Sequence, residues 1–232
     1  MIASHRIVLA SPHARHDELE RDLRQTPGLD VLRIRKREDL TLPTIKAFGA
    51  EKIFFAHWSW KIEAEIYSRI ECVIFHMTDV PFGRGGSPLQ NLIVRGFDRT
   101  VLSALRCEEA VDAGPVYLKR PLSLMGTAEE ILARAAGLMR EMIPVIALQD
   151  IVPIAQQGEV VSFSRRTPAE GNLAGVRDLL QFYDMVRMLD GEGYPPAFLD
   201  LGQFRIEFTG AELEGAELRA GVRVRVLDGD SK

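Results

Sequence analysis

His76, Asp112 and the loop of glycines and prolines between them are the residues of this sequence whose types suggest chemistry. His76 ends the apolar run 72–76, and histidine titrates near neutrality, so it can polarise a carbonyl or move a proton. The chain then reads Met77-Thr78-Asp79-Val80-Pro81-Phe82-Gly83-Arg84-Gly85-Gly86-Ser87-Pro88, dense in turn-forming residues. Arg84 beside the backbone N–H groups of Gly85 and Gly86 suits a phosphate. Asp112 lies in Val111-Asp112-Ala113-Gly114-Pro115. There an aspartate serves as a turn residue, as a proton acceptor, or as both.

These residues need a scaffold, and the hydrophobic pattern supplies one. Apolar runs at 6–10, 31–34, 52–56 and 72–76 predict strands, separated by helical patterns at 17–24 and 63–70. Such alternation predicts an α/β fold, a Rossmann-like and mostly parallel sheet with flanking helices. In such sheets ligands bind beyond the carboxyl ends of the strands, where His76 falls. Ser87 and Pro88 predict the start of a helix, as N-cap and first helical residue. Strands are expected over 100–107 and 116–119. Thr127 and Glu130 predict a capping box opening a long helix. After residue 152 the texture changes to a polar stretch, a helix over 173–188 and alternating strands at 203–208 and 221–227. The expected division is a catalytic domain over 1–151 and a small C-terminal α+β subdomain over 152–232, with a frayed tail at 228–232.

The 232 residues carry a net charge of −4 and a pI near 5.8. That balance argues against a nucleic-acid partner. The basic run Arg33, Arg35, Lys36 and Arg37 reads as a solvated strand end. No apolar run is long enough to span a membrane, and no export signal is visible, so a cytoplasmic protein without a membrane partner is expected. Cys72 and Cys107 read as reduced, buried thiols. His13 and His16 lack a third ligand and read as an exposed helix entry, so no metal is expected. The junction 10–16 lacks G-x-G-x-x-G, which excludes a dinucleotide fingerprint.

The order and spacing of His76, Thr78, Pro81, Arg84, Gly85, Pro88 and Gln90, followed by Val111-Asp112-Ala113-Gly114, resembles the signature of folate-dependent formyltransferases. The resemblance implies transfer of a formyl group from 10-formyltetrahydrofolate to an amine. It implies His76 as the donor to the formyl oxygen and Asp112 as the proton acceptor. The family carries Asn two residues before the histidine, where this chain has Ile74; Asn91, in the first turn after Pro88, is the expected substitute. The segment 54–62 occupies the family's folate pocket, and the resemblance implies cofactor contacts from Trp58, Trp60, Ile62 and Val111. As residues alone, the two tryptophans read as readily as core. Thr78, Arg84, Gly85, Gly86 and Tyr194 are expected to hold the acceptor.

Within the family, residues 186–189 and 194–198 are similar to the C-terminal region of sugar N-formyltransferases. With the acidic charge and short length, this implies a nucleotide-linked amino sugar as acceptor. A 4-amino-4,6-dideoxy sugar of pseudaminic acid-type glycan synthesis is the example favoured. The C-terminal part is expected to hold that acceptor or a second subunit of a homodimer. The alternatives kept open are a methionyl-tRNA-directed transferase, a formyltetrahydrofolate hydrolase and a non-catalytic ligand-binding relative.

Overall fold

The computed structural model describes residues 4–227, and the tail expected at 228–232 lies outside the described residues. The chain forms two compact units, each discontinuous in sequence. One comprises residues 4–85, 100–122 and 133–162, and the other 86–99, 123–132 and 163–227. The division expected near residue 152 therefore falls inside the first unit.

The first unit contains β1 (His5–Ala10), α1 (Asp17–Gln25), β2 (Leu29–Ile34), α2 (Leu42–Phe48), β3 (Lys52–Phe55), α3 (Ala64–Tyr67), β4 (Glu71–His76) and β5 (Phe82–Gly85). After α4 (Pro88–Ile93), which belongs to the second unit, come β6 (Arg99–Arg106) and β7 (Val116–Ser123). Six strands form one sheet in the order β2-β1-β3-β4-β6-β7. β1, β2, β3 and β4 run parallel, and β6 is antiparallel to β4. The expected mostly parallel α/β sheet is the fold found.

Ile7, Val8, Leu9 and Ala10 are all buried, as a strand flanked on both sides and covered on both faces requires. Helix α1 turns Leu19 and Leu23 inward and carries Asp17, Glu18 and Glu20 in its first turn, where the helix dipole favours them. The sequence pattern does not announce α2, which is short. It is set by its ends: Thr41 Oγ1 accepts the Thr44 N–H, and Gly49 closes it at φ 76°. The pattern over 63–70 yields only the single turn of α3. Val8, Ala10, Ile34, Ile45, Ile53 and Phe55 form one buried cluster with Cys72. Both cysteines are free, Cys72 buried and Cys107 partly so.

Helix α5 (Ala128–Leu148) opens with the expected capping box: the Thr127 N–H donates to Glu130 Oε2 and the Glu130 N–H to Thr127 Oγ1. The polar stretch after residue 152 holds one short strand, β8 (Val161–Phe163), paired with β5. The helix expected over 173–188 is a 3-10 turn at Leu173–Gly175 followed by α6 (Leu179–Arg187), because Asp178 caps the latter by accepting the Gln181 N–H. β9 (Ala197–Leu201), β10 (Phe204–Glu214) and β11 (Glu217–Val226) form an antiparallel sheet with β11 at its edge. No described helix is long and apolar enough to cross a membrane.

Side-chain to backbone bonds explain why the second unit draws in earlier segments. Arg187, only 6% exposed, donates to the carbonyls of Leu124 and Gly126 and pairs with Asp184 at 2.7 Å. Gln90 Nε2 donates to the Met188 carbonyl, and the Glu129 N–H to the Asp190 carbonyl. Replacing Arg187 by alanine leaves the partly buried Asp184 without its cation and strips two carbonyls of a donor. Arg187→Ala is expected to lower the unfolding free energy by about 3–5 kcal/mol. Urea denaturation of the two proteins measures it, and a loss within experimental error would remove Arg187 as the tie of this unit.

Candidate functional site

Strand β4 delivers His76 to the carboxyl edge of the sheet, and the chain then loops back through β5. His76 is 7% exposed. Its Nε2 donates to the Gly83 carbonyl at 2.7 Å, and its Nδ1 stands 3.5 Å from Asp112 Oδ2. The second distance exceeds a hydrogen bond, which is common at sites that tighten when substrate enters. Thr78, wholly buried, donates from Oγ1 to the same Gly83 carbonyl, and Ser103 Oγ donates to the Thr78 carbonyl. Thr78 therefore braces the loop from inside.

Asp112 sits at φ 51°, a left-handed conformation that aspartate tolerates better than most residues. Its Oδ2 accepts the Gly85 N–H at 2.9 Å, tying the two loops together. Gly114, two residues on, backs onto the Arg106 carbonyl so closely that a Cβ would lie 1.9 Å from that oxygen. Only glycine fits there. The expected phosphate cradle at 84–86 is already occupied by protein partners. The Gly85 N–H serves Asp112, the Gly86 N–H donates to the Phe163 carbonyl, and Arg84 donates from Nε and Nη2 to Gln156 Oε1. Strand β8 takes one of these donors and the distant Asp112 and Gln156 take the others, and nothing local in the sequence signals it.

Ile74 lies on the same side of β4 as His76 and packs against the apolar cluster, so an aliphatic wall stands where the resemblance places an amide. Asn91, in the second unit, does not leave its amide available. Nδ2 donates to the carbonyls of Gly86, Ser87 and Ser164, and Oδ1 accepts from Arg95. Ser87 starts α4 without capping it by its side chain, and its Oγ accepts the Arg166 N–H. Trp58 and Trp60 meet edge to face with centroids 4.8 Å apart, and Ile62 and Trp58 lie against the apolar cluster. Trp60 is 37% exposed and Val111 69%. Tyr194 is partly buried in the second unit, its N–H donating to the Gly191 carbonyl.

A second group of residues at the same sheet edge escaped the sequence reading. His16, expected at an exposed helix entry, is completely buried. Its Nδ1 lies 2.6 Å from Ser11 Oγ and its Nε2 3.1 Å from His57 Nδ1. The rings of His16 and His57 stack at 5.0 Å. His57 follows β3 at φ 50°; its residue surface is partly exposed, yet its Nε2 is enclosed without a hydrogen-bond partner, as is Trp58 Nε1. Arg33, expected to be solvated, is half-buried and donates to the carbonyls of Ser11, His13 and His16, which fixes the loop. Burial first, then the neighbouring His57 and Arg33, lowers the pKa of His16 to about 2, and burial with Arg15 lowers that of His57 to about 3. Both rings are neutral. No group of three or more His, Cys, Asp or Glu among the described residues is placed to hold a metal ion.

A family model described as the methionyl-tRNA formyltransferase C-terminal domain matches residues 168–225. The solved methionyl-tRNA formyltransferase from Clostridium thermocellum is 40% identical, with a TM-score of 0.93 over 96% of this chain and 99% of that one. Methionyl-tRNA formyltransferase of Rickettsia prowazekii is 28% identical over 59% of this chain and 48% of its own length. The chain thus spans about half the length of that curated relative. A sugar N-formyltransferase from a Shewanella species shares the fold at 13% identity, with a TM-score of 0.71 over 91% of this chain and 99% of that one. These similarities overturn the expected nucleotide-linked amino-sugar acceptor and the exclusion of a nucleic-acid partner. Short length does not separate the chain from the tRNA-directed enzymes, since one of nearly the same extent matches throughout. Net charge is a sum over the whole molecule, whereas a polyanion meets one face.

The buried histidines make acid stability a test of the site's architecture. His16 stays neutral in the folded protein down to about pH 2, while the unfolded chain takes up its proton near pH 6.5. Its stabilisation is complete above pH 6.5 and is lost as pH falls from there toward 2. The slope it adds approaches about 1.4 kcal/mol per pH unit. His16→Gln is therefore expected to show a shallower fall of unfolding free energy between pH 6.5 and 4.5, whatever its absolute stability. Parallel curves for the two proteins would mean that His16 is protonated in the folded state.

Proposed function

The chain belongs to the methionyl-tRNA formyltransferase family, and from that premise we propose that it formylates the amino group of methionyl-tRNA with 10-formyltetrahydrofolate. The observation that carries the reading is the 40% identity running through nearly the whole of both chains. The partly buried Trp58 with the exposed Trp60, Ile62 on the same apolar cluster as Trp58, and the enclosed Trp58 Nε1 without a partner fit a flat heteroaromatic ring with hydrogen-bonding edges. When bound, 10-formyltetrahydrofolate supplies the activated formyl group.

In this reading His76 stabilises the charge that gathers on the formyl oxygen as the amine attacks. Its Nδ1 stands 3.5 Å from Asp112 Oδ2, so the donor and the proton acceptor are side by side. Asp112 takes the proton the amine loses, the bond from the formyl carbon to the donor's nitrogen breaks, and that proton goes to the departing tetrahydrofolate nitrogen, with the Gly85 N–H holding Asp112 Oδ2 in place. Ile74 contributes a dry wall, and Asn91 keeps α4 anchored. Tyr194 and the C-terminal strands are assigned to the acceptor. Arg219, Arg223 and Arg225 are exposed and alternate along the edge strand β11, a row that suits a phosphate backbone. The site of action is the cytoplasm, where such acceptors are charged.

His76→Ala is expected to lower the turnover number roughly a hundredfold to a thousandfold while the protein stays folded. Rates of radiolabelled formyl transfer to methionyl-tRNA measure this, and near-normal turnover in the folded variant would remove His76 from the chemistry. Binding of tRNA is expected to weaken steeply with salt, and Arg219→Ala with Arg223→Ala to flatten the log–log slope by about 1 per residue. Failure of the parent to form any formylmethionyl-tRNA at saturating donor would end the tRNA reading. Formate release without acceptor would identify a hydrolase instead.

A further inference from the structure

The segment 153–161 is mostly exposed; Gln156 within it is partly buried and makes four hydrogen bonds. Its Oε1 accepts from Arg84 Nε at 3.0 Å and Nη2 at 2.7 Å. Its Nε2 donates to the Asp112 carbonyl and to the Gly114 carbonyl, each at 2.8 Å. The geometry points to Gln156 as a positioning residue that holds the Asp112 turn in register with His76. The inference rests on the proposed roles of those two residues.

Chemistry selects the residue type. Backbone carbonyls only accept and a guanidinium only donates, so a bridge between them needs an acceptor and two donors on one planar group. A carboxylate lacks the donors and a cation lacks the acceptor. The guanidinium also fixes the orientation of the amide, since its flipped form would aim N–H groups at Arg84 and an oxygen at two carbonyls. The segment itself is pinned at both ends: Ile154 exchanges both backbone bonds with Val116, and the Val161 N–H donates to the Pro81 carbonyl.

What the bridge holds is a strained turn. Asp112 occupies the left-handed region, and Gly114 is already pressed against the Arg106 carbonyl. Without donors on the Asp112 and Gly114 carbonyls, the turn is free to relax. Oδ2 then drifts from the Gly85 N–H and from His76. A displacement of that kind, small in distance, is costly in rate because the proton acceptor leaves its line of approach.

Gln156→Ala and Gln156→Glu are the informative variants; the second keeps the Arg84 contact and removes both donors. Each is expected to reduce the turnover number roughly tenfold to a hundredfold with the Michaelis constant for the folate donor within about twofold of the parent. Each is also expected to shift the NMR titration of the His76 ring, because the carboxylate facing that ring has moved. Gln157→Ala, its exposed neighbour, is expected to do neither. A folded Gln156 variant with parental turnover and an unchanged His76 titration would overturn the assignment. If the parent itself shows no formyl transfer, the proposed function fails, and the His76 titration alone still decides the role of Gln156.

Discussion

One carboxylate oxygen, Asp112 Oδ2, joins the two loops that make the site. It accepts the Gly85 N–H at the end of β5 and stands beside the His76 ring at the end of β4. Its position is possible only because the turn carrying it is left-handed at Asp112 and has no side chain at Gly114. A left-handed aspartate costs of the order of 1–2 kcal/mol, which the hydrogen bonds at both ends of the turn offset. Strain of this size kept in one turn is typical of places where geometry matters more than stability.

The carboxyl edge of the parallel strands places the same residue type in two opposite environments. His76 faces a carboxylate and a carbonyl, both acceptors. His16 and His57 face a serine hydroxyl, one another and arginines. Burial strips them of solvent and no carboxylate compensates, so they stay neutral and act as parts of a fixed hydrogen-bond chain. Phe55 and Ile74 are in register on neighbouring strands, so His57 and His76 follow them at corresponding positions. The sheet edge therefore sets a pair of neutral histidines next to one that faces a carboxylate.

Local pattern made much of this readable in advance. Alternating apolar runs gave the parallel sheet, and His76, Gly85 and Asp112 stood out because turn residues flank them. Side-chain to backbone bonds across long separations were not readable. Arg33 looked solvated because its neighbours are; three carbonyls brought together by folding make it half-buried. Asn91 looked available because an amide near a helix start is often free, and it is committed to Ser164, far along the chain. Gln156 sits in a run with no periodicity at all. The acceptor was misjudged for a related reason: whole-chain charge and length say little about the one face that meets a partner.

The bond between Arg84 and Gln156 spans 72 positions of the chain. During synthesis, His76 and Asp112 leave the ribosome well before the residue that bridges their loops. The sheet β1–β4, built from near neighbours in sequence, can form early, whereas β5 waits for β8. A nascent chain halted between the two therefore contains every group proposed for the chemistry but lacks the bond that orders them. Competence arrives late, when the last part of the first unit folds back.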